Sequence, residues 1–168
     1  GGDDPYTRCV GISRSQWLRG MVEKLTVGAK LLILGNRRSG KTTILEHLHK
    51  LIDLEPRDYF ILSAFSVDLH SIEKFEIFCK SPFHKKLKVE MIDDIDCFNG
   101  SHLKVIRKCL LTYESVCFLI TTSTISGLNE STIYECNILH LLAPQRKDIE
   151  NIIKSPFLIP VGKSVGCS

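Results

Sequence analysis

The sequence predicts an α/β fold, a parallel five-stranded sheet flanked by helices on both faces. Three observations carry this. Apolar and β-branched runs alternate with helical periodicity along the chain, the pattern of strand–helix–strand units in a parallel sheet. The first such run, residues 31–34, leads directly into Gly35-Asn36-Arg37-Arg38-Ser39-Gly40-Lys41-Thr42, and a helical pattern follows. A later run, Val89-Glu90-Met91-Ile92, passes straight into Asp93-Asp94-Ile95-Asp96.

In chain order, residues 15–25 read as a helix with Trp17, Leu18, Met21, Val22 and Leu25 on one face. Residues 31–34 are the first buried strand and 42–51 the helix after the glycine-rich loop. A turn at Glu55-Pro56-Arg57-Asp58 precedes a second strand, 59–63. Residues 72–79 form a short amphipathic helix and 87–92 a third strand. A helix over 102–113, a fourth strand over 116–121 and a fifth over 138–142 complete the order. There is no internal repeat, and the last stretch, 156–168, is rich in Pro, Gly and Ser.

The chain has 168 residues, 43% hydrophobic and 24% charged, enough for one good core but not two. No stretch approaches the roughly 20 apolar residues that span a bilayer, and the N-terminus lacks a basic-then-apolar leader. The expectation is therefore a protein without membrane contact, intracellular, and nuclear if eukaryotic. Seven cysteines are scattered without a Cys-x-x-Cys pair or a His cluster at zinc spacing, so they read as reduced thiols that fill core space. A formal charge of +3 permits contact with nucleic acid but does not demonstrate it.

The glycine-rich segment fits the phosphate-binding loop: a glycine, four residues, then Gly-Lys-Thr, between a strand and a helix. In such a loop the backbone N–H groups of Gly35, Asn36, Arg37, Arg38, Ser39 and Gly40 cradle phosphates at a helix N-terminus. Lys41 supplies a point charge, Thr42 a magnesium ligand, and Thr43 follows on the same turn. Magnesium beside a triphosphate also needs a carboxylate anchor, and Asp93, ending a buried strand, is the candidate. Asp94 is then placed to polarise an attacking water as general base. The expected ligands are a nucleoside triphosphate and Mg2+.

With these residues in view, the chain resembles the nucleotide-binding domain of AAA+ ATPases, which are P-loop NTPases, and most closely the small subunits of replication clamp loaders of the replication factor C type. The likeness runs over residues 10–149. Val10-Gly11 resembles the pair this family places by the adenine. Ser63-Ala64-Phe65-Ser66 falls where the family has Asn-Ala-Ser-Asp, and Asp93-Asp94-Ile95-Asp96 where it has Asp-Glu-Ala-Asp. Ile106-Arg107-Lys108 matches its Leu-Arg-Arg, and Tyr113 its helix-ending tyrosine. The resemblance places Thr122 on the sensor-1 strand, where the family has an asparagine that orients water or touches the γ-phosphate.

The resemblance implies a domain over 10–153 with tails at 1–9 and 154–168, and a helical lid largely absent, because the chain ends soon after residues 149–153. It implies partners: other AAA+ subunits in a hetero-oligomer, a sliding clamp, and DNA through Arg107 and Lys108. Departures fall on the groups that would hydrolyse ATP. Asp94 is one methylene shorter than the family's glutamate, a displacement of roughly 1 Å that can cost on the order of 100-fold in rate. Tyr134-Glu135-Cys136 stands where the family has Ser-Arg-Cys, whose arginine reaches a neighbour's ATP. Hydrolysis is therefore expected to be weak or partner-dependent. Two alternatives stay open: a DnaA-like replication-initiation ATPase, and a structural adapter with a remnant phosphate loop.

Overall fold

The structure is a computed structural model that describes residues 14–35, 41–84, 86–124 and 139–142. Its elements are α1 (Arg14–Glu23), β1 (Lys30–Leu34), α2 (Lys41–Leu51), β2 (Tyr59–Ser63), α3 (Leu69–Lys80), β3 (Val89–Asp93), α4 (Gly100–Thr112), β4 (Cys117–Thr122) and β5 (Leu139–Leu142). Short 3-10 turns at Pro56–Asp58 and Ile95–Cys97 enter β2 and leave β3. The five strands are all parallel, in the order β2-β3-β4-β1-β5. The expected architecture is the observed one.

The sheet sorts its apolar side chains by the period of two that a strand imposes. Leu31 and Ile33 of β1, Val89 and Met91 of β3, and Cys117 and Leu119 of β4 face one way. They meet Trp17 and Met21 of α1 and Ile44, Leu45 and Leu48 of α2. Leu32, Ile92, Phe118 and Ile120 face the other way, onto Ile72, Phe75 and Cys79 of α3 and Ile106, Cys109 and Leu110 of α4. Each such side chain stabilises the fold by about 1.5–3 kcal/mol relative to exposure, so both helical layers are held mainly by these stripes.

Helix limits follow the caps. Asp68 accepts from the Ser71 backbone N–H at 2.7 Å, which starts α3 three residues before the apolar stripe that predicts it. The Asn99 side chain accepts from the His102 N–H at 2.8 Å and starts α4 at Gly100. At its other end α3 is closed by Lys88, whose ammonium reaches the carbonyls of Cys79 and Ser81 and the Ser81 hydroxyl. β3 begins at Val89, one residue after Lys88, whose carbonyl accepts from the Cys117 N–H at 2.9 Å.

Because the strands are parallel, their C-terminal ends lie along one edge of the sheet, where open α/β folds hold ligands. The order sets β4 between β1 and β3. Residues 51 positions apart are thereby brought to one place.

Candidate functional site

The site is built at the ends of β1, β3 and β4. Leu34 ends β1, and Gly35 donates its N–H to the carbonyl of Thr122 at 3.1 Å, tying the entrance of the glycine-rich loop to β4. The loop residues Asn36, Arg37, Arg38, Ser39 and Gly40 lie outside the described residues, as do Val10 and Gly11. The described chain resumes at Lys41, the first residue of α2. Lys41 is 3% exposed, and its ammonium donates to the Gly35 carbonyl at 2.5 Å and to the Ser123 hydroxyl at 3.4 Å. A cation is thus held at the mouth of the loop by groups from β1 and from the end of β4.

Thr42 is exposed on the first turn of α2, and its hydroxyl donates to Asp93 Oδ2 at 2.7 Å. Asp93 is 2% exposed. Its second oxygen, Oδ1, accepts from the Thr121 hydroxyl at 2.5 Å. The same Thr121 oxygen accepts from the backbone N–H of Asp94 at 2.9 Å. Asp94 sits in the left-handed region, φ 57 and ψ 56, where aspartate is among the few side chains tolerated. That conformation ends β3 and opens the 3-10 turn, in which Cys97 N–H bonds the Asp94 carbonyl at 2.9 Å. A second tie, from Ser123 N–H to Asp96 Oδ1 at 3.4 Å, fastens the turn to the end of β4.

Strand alternation explains which threonine meets Asp93. Asp93 continues the Val89 and Met91 face, and Thr121 continues the Cys117 and Leu119 face, so both look toward α2 and Thr42. Thr122 continues the opposite series. It is buried, and its hydroxyl donates to the Thr124 carbonyl at 2.5 Å and accepts from the Thr124 N–H at 3.3 Å. Of the residues named from the sequence, Lys41, Thr42, Asp93 and Asp94 come together, Thr43 is exposed on the same turn, and Thr122 lies on the other face.

Thr121, Ser123 and Asp96 are the neighbours that sequence reasoning missed as parts of this arrangement. The signal for Thr121 is its even separation from Cys117 and Leu119, whose face can be inferred once the sheet order is known. Arg107 is half-buried on α4, its Nε without a hydrogen-bond acceptor among the described residues, and Lys108 is exposed. Glu135 and residues 149–153 lie outside the described residues.

Among the described residues the Asp93 carboxylate meets two hydroxyl oxygens, those of Thr42 and Thr121, and the Thr42 proton is given to the carboxylate. The Thr42 oxygen therefore keeps lone pairs for a hard cation, a set that fits Mg2+ rather than a soft metal.

The family model of the AAA domain matches residues 28–135, more than half of the chain. The chain belongs to the AAA domain family. Among solved structures, this AAA chain is similar to a DNA polymerase III gamma subunit-related protein from Thermotoga maritima, with a TM-score of 0.58 and 17% identity. That match covers 84% of this chain and 49% of the other, so the chain spans about half the length of that protein. It is also similar to Drosophila ORC, solved bound to DNA, with a TM-score of 0.58, 11% identity, and coverage of 77% and 89%. At these identities the likeness is one of fold. No curated protein sequence matches. AAA domains bind nucleotide, usually with Mg2+, and among the described residues no helix is long and apolar enough to cross a membrane.

Proposed function

We propose that the chain is an ATP-binding AAA+ subunit of the clamp-loader type, acting in DNA replication or repair inside a multi-subunit assembly and hydrolysing ATP weakly or only with partners. The observation that carries this reading is the 2.7 Å bond between Thr42 and Asp93, which joins the phosphate-loop helix to the acidic strand end. In this reading the loop residues 35–40 hold the phosphates, and Lys41 gives its charge to the β- and γ-phosphates in place of the Gly35 carbonyl. Thr42 and Asp93 hold Mg2+, which neutralises developing charge on the transferred phosphoryl group when bound. Val10 and Gly11 lie by the adenine, and Asp94 polarises the attacking water. Thr122 would have to release the Thr124 carbonyl to assist, and the slow hydrolysis proposed is consistent with that cost.

The partners in this reading are other AAA+ subunits, a sliding clamp, and DNA met through Arg107 and Lys108. An initiation-type ATPase is the second reading, favoured by the equal TM-score of the ORC structure and by the larger share of that chain that is matched, 89% against 49%. The match of 106–108 and Tyr113 to the loader pattern supports the first. The experiment is ATP binding and phosphate release measured in the same samples of wild type and Lys41→Ala. Lys41-dependent binding with little release supports an ATP-holding subunit. Rapid release by the chain alone contradicts the proposed weak hydrolysis, and absence of binding leaves only the structural adapter.

A further inference from the structure

The Thr121 hydroxyl has two partners with opposite demands. It gives its proton to Asp93 Oδ1 at 2.5 Å and receives the Asp94 N–H at 2.9 Å, so one oxygen fixes two consecutive acidic residues. A hydroxyl can serve as donor and acceptor together, whereas an isosteric valine can do neither. With Thr42 on Oδ2 and Thr121 on Oδ1, the rotation of the carboxylate is set from both sides, by α2 and by β4. Thr121 is fully buried, so water cannot replace its hydroxyl without a rearrangement. The Asp94 N–H, turned by its left-handed backbone, points at this oxygen rather than along a strand ladder.

We propose that Thr121 is a positioning residue that sets the magnesium dependence of nucleotide binding, by holding the Asp93 carboxylate and the Asp94 turn in register. The inference rests on the nucleotide-binding reading above. Thr121 itself touches neither phosphate nor metal in this role. It acts through Asp93, as groups that orient a metal ligand do, and loss of such a partner typically costs about 10–100-fold in metal affinity. The contribution of Lys41 and of the loop to phosphate affinity is independent of Thr121.

The test is ATP affinity over a series of Mg2+ concentrations and in EDTA, for wild type, Thr121→Val, Thr121→Ser and Lys41→Ala. The expected result is that T121V raises the half-saturating Mg2+ concentration about 10-fold or more while its affinity in EDTA stays that of wild type. T121S, which keeps the hydroxyl, should restore the wild-type response. An unchanged magnesium response in T121V, or a T121S response as poor as that of T121V, overturns the inference and leaves Lys41-dependent binding standing. Wild type that binds no ATP in either condition overturns both readings. A second measurement needs no variant: the Asp94 amide resonance of ATP-loaded wild type should shift as Mg2+ is added, and an unmoved resonance contradicts the coupling.

Discussion

Asp94 is where backbone and chemistry can be separated at the scale of one residue. Its left-handed conformation suits Asp, Asn or Gly and costs a β-branched residue on the order of 1–3 kcal/mol. Asp94→Asn keeps that backbone and removes only the basic carboxylate. It should leave ATP affinity and melting temperature unchanged while lowering residual phosphate release by about 10²–10⁴-fold, read in a single-turnover assay with whatever partners activate release. Asp94→Val should instead melt earlier, which denaturant unfolding measures. Lys41, Thr42, Asp93 and Asp94 were legible in the sequence because motif spacing alone identifies them. Thr121 was not. It lies 28 residues from Asp93, and only the adjacency of β3 and β4 together with the phase of alternation brings the two together.

The same division holds for whole elements. Strands β1 and β2 and helix α2 were readable to within a residue, because uninterrupted apolar runs or the loop motif bound them. The starts of α3 and α4 lie in polar caps rather than in apolar periodicity, so a reading from the stripes begins both helices late. Asn99→Ala should cost about 0.5–2 kcal/mol in equilibrium unfolding by removing the bond to His102 N–H. The role of Lys88 was hidden, since a lysine in a basic run reads as solvated. It is 3% exposed, lies over the Phe78 ring at 4.9 Å, and closes the end of α3. Lys88→Met keeps the stem and loses the charged donor, and should destabilise by about 1–3 kcal/mol in the same assay. Gly28 has φ +80, and a Cβ there would lie 2.6 Å from the Glu114 carbonyl oxygen, so the turn before β1 docks closely on the loop before β4.

Among the described residues of the sheet, Glu90 alone buries a carboxyl group with no hydrogen-bond partner. Glu90, the second residue of β3, is fully buried between Phe60 and Phe118 in register, and among the described residues neither carboxylate oxygen has a hydrogen-bond partner. Burial holds its acid well above the ordinary value of 4.5, so the folded protein keeps the proton that the unfolded chain releases. The sign follows from linkage. Between the unfolded value and the raised folded one the native state binds more protons, so the Glu90 contribution to stability is most favourable in acid and declines as pH rises above about 4.5. Glu90→Met removes both the unpartnered acid and this slope. It should stabilise by about 1–3 kcal/mol at neutral pH and flatten the pH profile of the denaturation midpoint. Nothing in the strand pattern flagged Glu90, because a single acid in an apolar run reads equally well as an outward-facing position; the second helical layer, α3 with α4, is what closes over it.

Magnesium-nucleotide binding at the end of the sheet is tested most directly by calorimetric titration of wild type with ATP, with and without Mg2+. The expected result is saturable binding at one site per chain, strengthened by Mg2+ and lost in Lys41→Ala. Titrations that show no saturable heat, or binding that Lys41→Ala leaves intact, would contradict it.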